Sequence, residues 1–315
     1  MGARTSATRI APWLWAQTSL VKYVARYVAR PSRLRGTTRH VGEPSVLRVP
    51  TRHGDVRCLV HRPHPEAPLA GDRPPVHVHL HGGGFVMANP RQDDFLTTYI
   101  AAEVGAVVVS VDYSTAPQVR FPVAEEQAAD VLSWVAGVGD DLGWDGTRIT
   151  IGGISAGAKL AISALQLARR AGGPTARAAV VLVPPVDLSV SPEDLRSPLA
   201  EPMIDSRMLH VVHGTYFVDA SRRTDPLASP ARDPHVAEAL PPLLVITGEH
   251  DTLTPAATDF VRRLRAQGAT VTHHDLPGVD HDLGTAGNDP DGALPDVLEP
   301  IGSHLLRHLA GPPAP

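Results

Sequence analysis

The sequence predicts an α/β protein: a mostly parallel sheet flanked by helices, with a mainly helical cap. Three observations carry this expectation. First, short apolar or β-branched runs at 76–80, 106–111, 148–151, 178–183 and 243–247 alternate with helix-length segments, the pattern of βαβ units with right-handed crossovers. Second, Arg148-Ile149-Thr150-Ile151 runs into Gly153-Ile154-Ser155-Ala156-Gly157 and then into an Ala- and Leu-rich stretch reaching Ala171, so a serine flanked by glycines stands between a strand and a helix. Third, 315 residues with 43% hydrophobic content suit one large domain carrying an inserted piece.

Taken in order, the chain opens on a segment unlike the rest. Trp13, Leu14, Leu20, Val21, Val24, Tyr27 and Val28 recur at spacings of three to four, and Lys22, Arg26, Arg30, Arg33, Arg35 and Arg39 add positive charge. The pattern predicts a basic amphipathic helix ended by Pro31. Such a helix can lie on a membrane surface, serve as a mobile flap, or pack on its own domain as part of a cap; packing is the expectation. Runs at 46–49 and 56–61, separated by the turn cluster Thr51-Arg52-His53-Gly54-Asp55, predict an antiparallel hairpin opening the sheet. A Pro-rich loop leads to the strand 76–80, which runs straight into His81-Gly82-Gly83-Gly84-Phe85.

A helix is then expected over 93–103, closed by Gly105, and a buried strand over 106–111. The helix 123–135 begins just after Pro122, a favoured first-turn position for proline. The helix after Ser155 stops at Gly172-Gly173-Pro174, and the apolar run 178–183 is closed by Pro184-Pro185. Residues 187–240 show no clear strand and one helix-like piece near 205–216, and read as an insertion above the sheet. A strand at 243–247, a helix at 256–266, a strand at 270–273 and a closing helix at 294–309 complete the series, with a disordered tail expected from Gly311 onward.

Composition excludes several roles. The net charge is −4 and aromatic content is 4%, which gives no electrostatic case for a nucleic-acid partner. No apolar stretch is long enough to span a bilayer, and the N-terminus lacks the apolar core and cleavage site of a secretory signal. Cys58, the single cysteine, excludes an intrachain disulfide and fits a reducing compartment, so a cytoplasmic protein is expected. Within the strand-like run 56–60 it reads as a packing residue.

The chemistry gathers around Ser155. A strand–turn–helix with G-x-S-x-G holds its serine on a strained turn above the sheet edge, where bulk at the positions two before and two after is not tolerated. A serine nucleophile needs a base, the base needs an orienting acid, and the developing oxyanion needs donors. Asp251 follows the strand 243–247 directly and His281 falls in the loop after the next strand, both at the edge where Ser155 emerges. The expected set is nucleophile Ser155, acid Asp251 and base His281. Glu249 and Asp280 are the competing acids. Among competing histidines, His250 adjoins Asp251, His273 and His274 lie in or at the end of a strand, and His304 lies on a helix.

His81-Gly82-Gly83-Gly84 is far rarer by chance than the serine pattern, and its bare backbone lets a substrate carbonyl approach. The expected oxyanion donors are the amides of Gly83, Gly84 and Ala156. His81 is expected to hold the loop rather than transfer protons. His77, His79 and His81 share one face of a strand, but a metal there leaves the glycines unexplained, so neither metal nor cofactor is expected.

With these pieces together, the chain resembles the hormone-sensitive-lipase-like, or family IV, esterases of the α/β-hydrolase superfamily. The resemblance rests on 81–85, on Asp112-Tyr113-Ser114-Thr115-Ala116-Pro117 with Phe121-Pro122, on 153–157, on Asp251-Thr252-Leu253 and on the region of His281, spanning about residues 46–285. It implies the α/β-hydrolase fold with an eight-stranded sheet. It divides the chain into an N-terminal cap segment at 1–44, a catalytic domain at 45–186 and 241–311, and a cap insertion at 187–240. The implied activity is hydrolysis of short- to medium-chain carboxylic esters without a cofactor. The chain departs from the family's usual residues at Ile154 (usually Asp), Ala158 (Gly), Gln118 (Glu), Thr254 (an acid) and Leu283 (aromatic), which leaves the surroundings of the site more apolar. A small-molecule receptor on a hydrolase scaffold and an amidase or acyltransferase with the same triad are the alternatives. A small-molecule ester is the expected partner, and a homodimer is left open.

Overall fold

The computed structural model describes residues 9–27, 36–284 and 294–311, with side chains beyond residue 24 of the first segment left aside. The expected end of the first helix at Pro31 and the tail beyond Gly311 therefore lie outside the described residues. The protein is built on an eight-stranded sheet in the order β1-β2-β4-β3-β5-β6-β7-β8. The strands are β1 (Ser45–Val49), β2 (Val56–His61), β3 (Pro75–Leu80), β4 (Val107–Asp112), β5 (Asp145–Ile154), β6 (Ala178–Leu182), β7 (Leu243–Gly248) and β8 (Val271–Leu276). β1 pairs with β2 and β2 with β4 antiparallel; every other pairing is parallel. Parallel pairing aligns the strand ends, so the loops after β3, β5, β7 and β8 open at one edge of the sheet, where open α/β sheets place their sites.

Among the described residues there are eight α-helices: α1 (Pro12–Tyr27), α2 (Asp94–Tyr99), α3 (Val123–Gly137), α4 (Gly139–Leu142), α5 (Ala156–Arg170), α6 (Ser206–Thr215), α7 (Thr254–Ala266) and α8 (Leu294–Leu309). Alternation along the strands sorts the core into two layers. Val107, Val109 and Val111 of β4 join the cluster containing Leu132 of α3, Leu160 of α5 and Phe260 of α7. Val108, Val180, Leu182, Leu244 and Ile246 face the other way, with Leu96 of α2 and Leu298, Ile301 and Leu305 of α8. Central strands buried on both faces read as continuous valine and isoleucine runs, which is why the sequence shows them plainly.

Four local differences from the expected elements have physical reasons. The helix expected over 93–103 is α2 followed by a π-helical turn at Ile100–Val104, closed by Gly105 in the left-handed region. β5 begins at Asp145 rather than near Arg148, because the backbone of that polar stretch pairs with Pro74 and Pro75 across a register shift. β8 runs on to Leu276; as the edge strand it is half-exposed, so His274 and Asp275 carry no apolar signal. The short α4 was not expected, since four residues carry too little pattern to be seen.

Residues 187–240 contain α6 and short 3₁₀ turns at Pro192–Asp194, Ala220–Arg222, Pro230–Arg232 and Val236–Ala239. α6 is started by Asp205, whose carboxylate accepts from the Met208 amide. The segment touches the loops at the sheet edge. The Met203 amide donates to the Asp280 carboxylate at 2.8 Å, Ser197 Oγ to the His250 carbonyl at 2.8 Å, and Thr252 Oγ1 to the Ile204 carbonyl at 2.5 Å. α1 leans on α6: Leu14 and Thr18 are buried, and a Leu14 methyl sits where a side chain at Gly214 would go.

Candidate active site

Each residue of the site follows the end of a strand. β5 delivers Ser155, whose backbone sits at φ 53° and ψ −117°, a conformation costly for any residue with a side chain. The turn closes tightly on the end of β3: a Cβ added at Gly157 would lie 1.8 Å from the Leu80 carbonyl oxygen, and one at Gly153 would lie 2.3 Å from the same atom. The glycines are therefore required by the backbone of a neighbouring strand. α5 begins at Ala156, so its N-terminal amides and the positive end of its dipole face the Ser155 hydroxyl.

The loops after β7 and β8 are joined by backbone hydrogen bonds, Glu249 N–H to Leu276 at 3.0 Å and His250 N–H to Val279 at 2.9 Å. This brings Asp251 and His281 together. His281 Nδ1 lies 2.8 Å from Asp251 Oδ2, and His281 Nε2 lies 2.9 Å from Ser155 Oγ. Asp251 is 1% exposed, and its other oxygen accepts the Leu253 amide at 3.0 Å. A buried carboxylate held in this way presents one lone pair to the imidazole. That fixes the tautomer with the proton on Nδ1 and leaves Nε2 to accept from the serine.

The competing residues are engaged elsewhere. Asp280 accepts its neighbour's amide and that of Met203, and Glu249 accepts the Gly278 amide. His273 meets Thr247 Oγ1 at 2.8 Å, and His304 meets the Pro242 carbonyl at 3.3 Å. His77 pairs with Thr150 and His79 with Asp93, while His81 donates through Nδ1 to the Gly82 carbonyl at 2.7 Å. Burial pushes the His81 imidazole below its ordinary range, so it is neutral at neutral pH. It stacks on Tyr113 at 4.3 Å, and the tyrosine hydroxyl donates to the His81 carbonyl at 2.8 Å. Among the described residues, no group of three or more His, Cys, Asp or Glu side chains is arranged to hold a metal.

The glycine loop has φ 108° at Gly83 and 59° at Gly84, and turns back on itself through Gly83 O, which accepts from Val86 and Met87. Among the described residues the amides of Gly83, Gly84 and Ala156 donate no hydrogen bond. The open side of Gly84 faces Met208 and Val212 of α6. Near Gly82, an added Cβ would lie 3.8 Å from the Ser155 Cβ, so this loop and the serine turn adjoin.

The departures noted in the sequence take apolar or local roles. Ile154 packs among apolar side chains on the α8 side, and Ala158 is fully buried. Gln118 accepts from Lys22 at 2.8 Å and donates to Ser19 at 3.2 Å, which ties α1 to the domain. Thr254 Oγ1 donates to the Gly248 carbonyl at 2.7 Å, and Leu283 is 2% exposed with φ 55°. Sequence reasoning passed over Lys159 and Glu125, which form a fully buried ion pair one helical turn beyond Ser155. A lysine and a glutamate inside helical segments give no signal of burial, because both are ordinary surface helix formers.

A strained serine at a strand–helix turn, a hydrogen-bonded histidine and acid on neighbouring loops, and a glycine loop beside them define a hydrolase built on this sheet. The alpha/beta hydrolase fold family matches residues 77–284, and the chain belongs to it, in its hormone-sensitive-lipase-like branch. Among its relatives, the chain is 31% identical over 232 residues to the ethyl acetate hydrolase of Pseudomonas putida, covering 72% of this chain and 73% of that protein. It is likewise 31% identical over 219 residues to the carboxylesterase NlhH of Mycobacterium tuberculosis, covering 68% of each. The Pyrobaculum calidifontis esterase structure superposes with a TM-score of 0.75 at 28% identity, covering 92% of this chain and 91% of that one.

Proposed function

We propose that the protein is a serine carboxylesterase acting on short- to medium-chain esters. It is a carboxylic ester hydrolase, and its substrates are small-molecule esters. The observation that carries the mechanism is the continuous hydrogen-bonded path from Asp251 through His281 to Ser155 beside uncommitted loop amides. In this reading His281 takes the Ser155 proton as Oγ attacks the ester carbonyl. Asp251 orients the imidazole and balances the charge it gains. The amides of Gly83, Gly84 and Ala156 receive the oxyanion. His281 then protonates the leaving alcohol, and water activated by the same imidazole releases the acid from Ser155. A receptor on a hydrolase scaffold is not favoured, because the three side chains hydrogen-bond to one another rather than standing apart.

Residues 1–44 and 187–240 act in this reading as a cap over the catalytic unit 45–186 and 241–311. Support comes from Met208 and Val212 lying over Gly84, which bounds the space above the glycine loop and suits modest acyl groups. α1 is read as a packed part of that cap, although Trp13, Leu20 and Val24 remain exposed on its outer face. Sedimentation with anionic liposomes at low salt tests this: no binding is expected, and binding transfers α1 to a membrane-surface role. Among the described residues no helix is long and apolar enough to cross a membrane. A cytoplasmic setting is read from the single cysteine, Cys58, which is buried and free. The functional test is hydrolysis of p-nitrophenyl acetate through decanoate by wild type and Ser155→Ala. Activity in the wild type that declines toward the longer chains and is lost in the variant is expected. Equal rates in both reject Ser155 as nucleophile.

A further inference from the structure

Lys159 lies on α5, and its amide donates to the Ser155 carbonyl at 3.2 Å. Its side chain is fully buried and pairs with Glu125 of α3, which is equally buried. The other Glu125 oxygen accepts the Tyr216 hydroxyl at 2.6 Å, and that hydroxyl in turn accepts the Ala124 amide at 3.1 Å. The Lys159 ammonium is also ringed by Phe85 at 5.8 Å, Phe121 at 5.4 Å and Phe217 at 5.4 Å. Burial lowers the Lys159 pKa, and the Glu125 carboxylate opposes that shift.

Four separate pieces of the molecule meet on this one pair: the helix that carries Ser155, the start of α3, the residues just past α6, and Phe85, which directly follows the glycine loop. Phe85 stacks on Tyr216 at 4.9 Å with the rings 4° from parallel, and its backbone stands at φ 61°. Its carbonyl accepts the Ala116 amide at 2.8 Å. A bulky residue in the left-handed region persists only where its surroundings hold it there. Burying two charges is costly, and apolar side chains of similar volume often serve a fold at least as well. What an apolar replacement lacks is direction. The ion pair and the tyrosine hydroxyl fix distances between elements that otherwise meet through apolar side chains and two backbone hydrogen bonds, Ala116 N–H to the Phe85 carbonyl and Phe121 N–H to the Tyr216 carbonyl.

We propose that Lys159 and Glu125 are a positioning pair for ester hydrolysis: with Tyr216 they hold Phe85, and so the amides of Gly83 and Gly84, in register with the Ser155 hydroxyl. Neither residue touches substrate. The proposal rests on the serine-esterase reading above. Its consequence is specific: loss of the pair weakens binding of the oxyanion while leaving ground-state ester binding nearly unchanged.

The test is the double variant Lys159→Met/Glu125→Leu, which removes both charges together, with Tyr216→Phe as a milder variant that keeps the pair. Wild-type esterase activity is measured first, and its absence defeats the esterase reading rather than this one. With an active wild type, the double variant is expected to lose about tenfold in kcat with KM within about threefold, and to bind a trifluoromethyl ketone weaker by the same factor as kcat/KM falls. Tyr216→Phe is expected to lose about threefold in the same pattern. A folded double variant with kcat and ketone affinity within about twofold of wild type overturns the proposal. If the double variant does not fold, unchanged kcat and ketone affinity in Tyr216→Phe overturn it.

Discussion

Two sets of buried ionisable side chains lie near Ser155, one hydrogen-bonded to its hydroxyl and one carried by the helix that follows it, and they differ in how they are held. The Asp251–His281 chain sits on loops at strand ends, where backbone hydrogen bonds between β7 and β8 set the geometry and the side chains point toward the space above the sheet. The Lys159–Glu125 pair sits between α3 and α5, capped by Tyr216, with no exposure on either side chain. The first can exchange a proton with a bound molecule because Nε2 of His281 has a hydroxyl as its neighbour. The second has its partners, the Glu125 carboxylate, the Tyr216 hydroxyl and the phenylalanine rings, all inside the protein. On the proposed reading, buried charge near Ser155 serves two ends, chemistry where one partner faces the serine hydroxyl and registration where every partner is internal.

Breaking the two chains should have unequal cost. Asp251→Asn keeps the volume but removes the charge and the tautomer preference that it imposes. A fall of about 10²–10⁴-fold in kcat is expected with KM little changed, measured by steady-state hydrolysis of p-nitrophenyl acetate. A loss comparable with the roughly tenfold expected of the Lys159→Met/Glu125→Leu double variant erases the distinction between the two chains.

A smaller effect concerns the histidines buried in the sheet and in α8. Burial holds His77 at about 3, and His61 at about 4, against an ordinary 6.5. Burial holds His304 of α8 at about 4 as well. These folded values lie below the unfolded one, so their contribution to stability is whole above pH 6.5. It is lost as pH falls from there toward 4 and then 3, because the unfolded chain takes up protons that the folded chain refuses. Each such group contributes a slope of at most about 1.4 kcal/mol per pH unit. The urea midpoint should therefore drop steadily between pH 6.5 and 4. A flat midpoint over that range contradicts neutral burial of these side chains.

The contrast between the two chains also explains what the sequence made legible. Ser155 and Asp251 each follow an apolar strand and His281 follows the polar edge strand β8, each strand end being marked by glycine or a turn cluster, so position in the chain translates into position at the sheet edge. The glycines at 83 and 84 are readable for the same reason, since bare backbone is what a loop of that conformation needs. Lys159 and Glu125 face each other only because α3 and α5 pack side by side on one face of the sheet. Neither helix's own pattern contains that fact, and charged residues on amphipathic helices ordinarily face water. The segment 187–240 was legible only as an interruption, with α6 as its one helix, because its structure rests on side-chain hydrogen bonds and short 3₁₀ turns rather than on periodic apolar faces. Ile154, where the family usually has Asp, packs among apolar neighbours.

The central claim is that Ser155 becomes the acyl carrier. Intact-protein and peptide mass spectrometry after treatment with a fluorophosphonate tests it most directly. The folded wild type should gain one adduct, mapped to the peptide containing Ser155, with parallel loss of esterase activity, and Ser155→Ala should gain none. An active wild type that is not labelled at Ser155, or that loses activity through an adduct elsewhere, contradicts it.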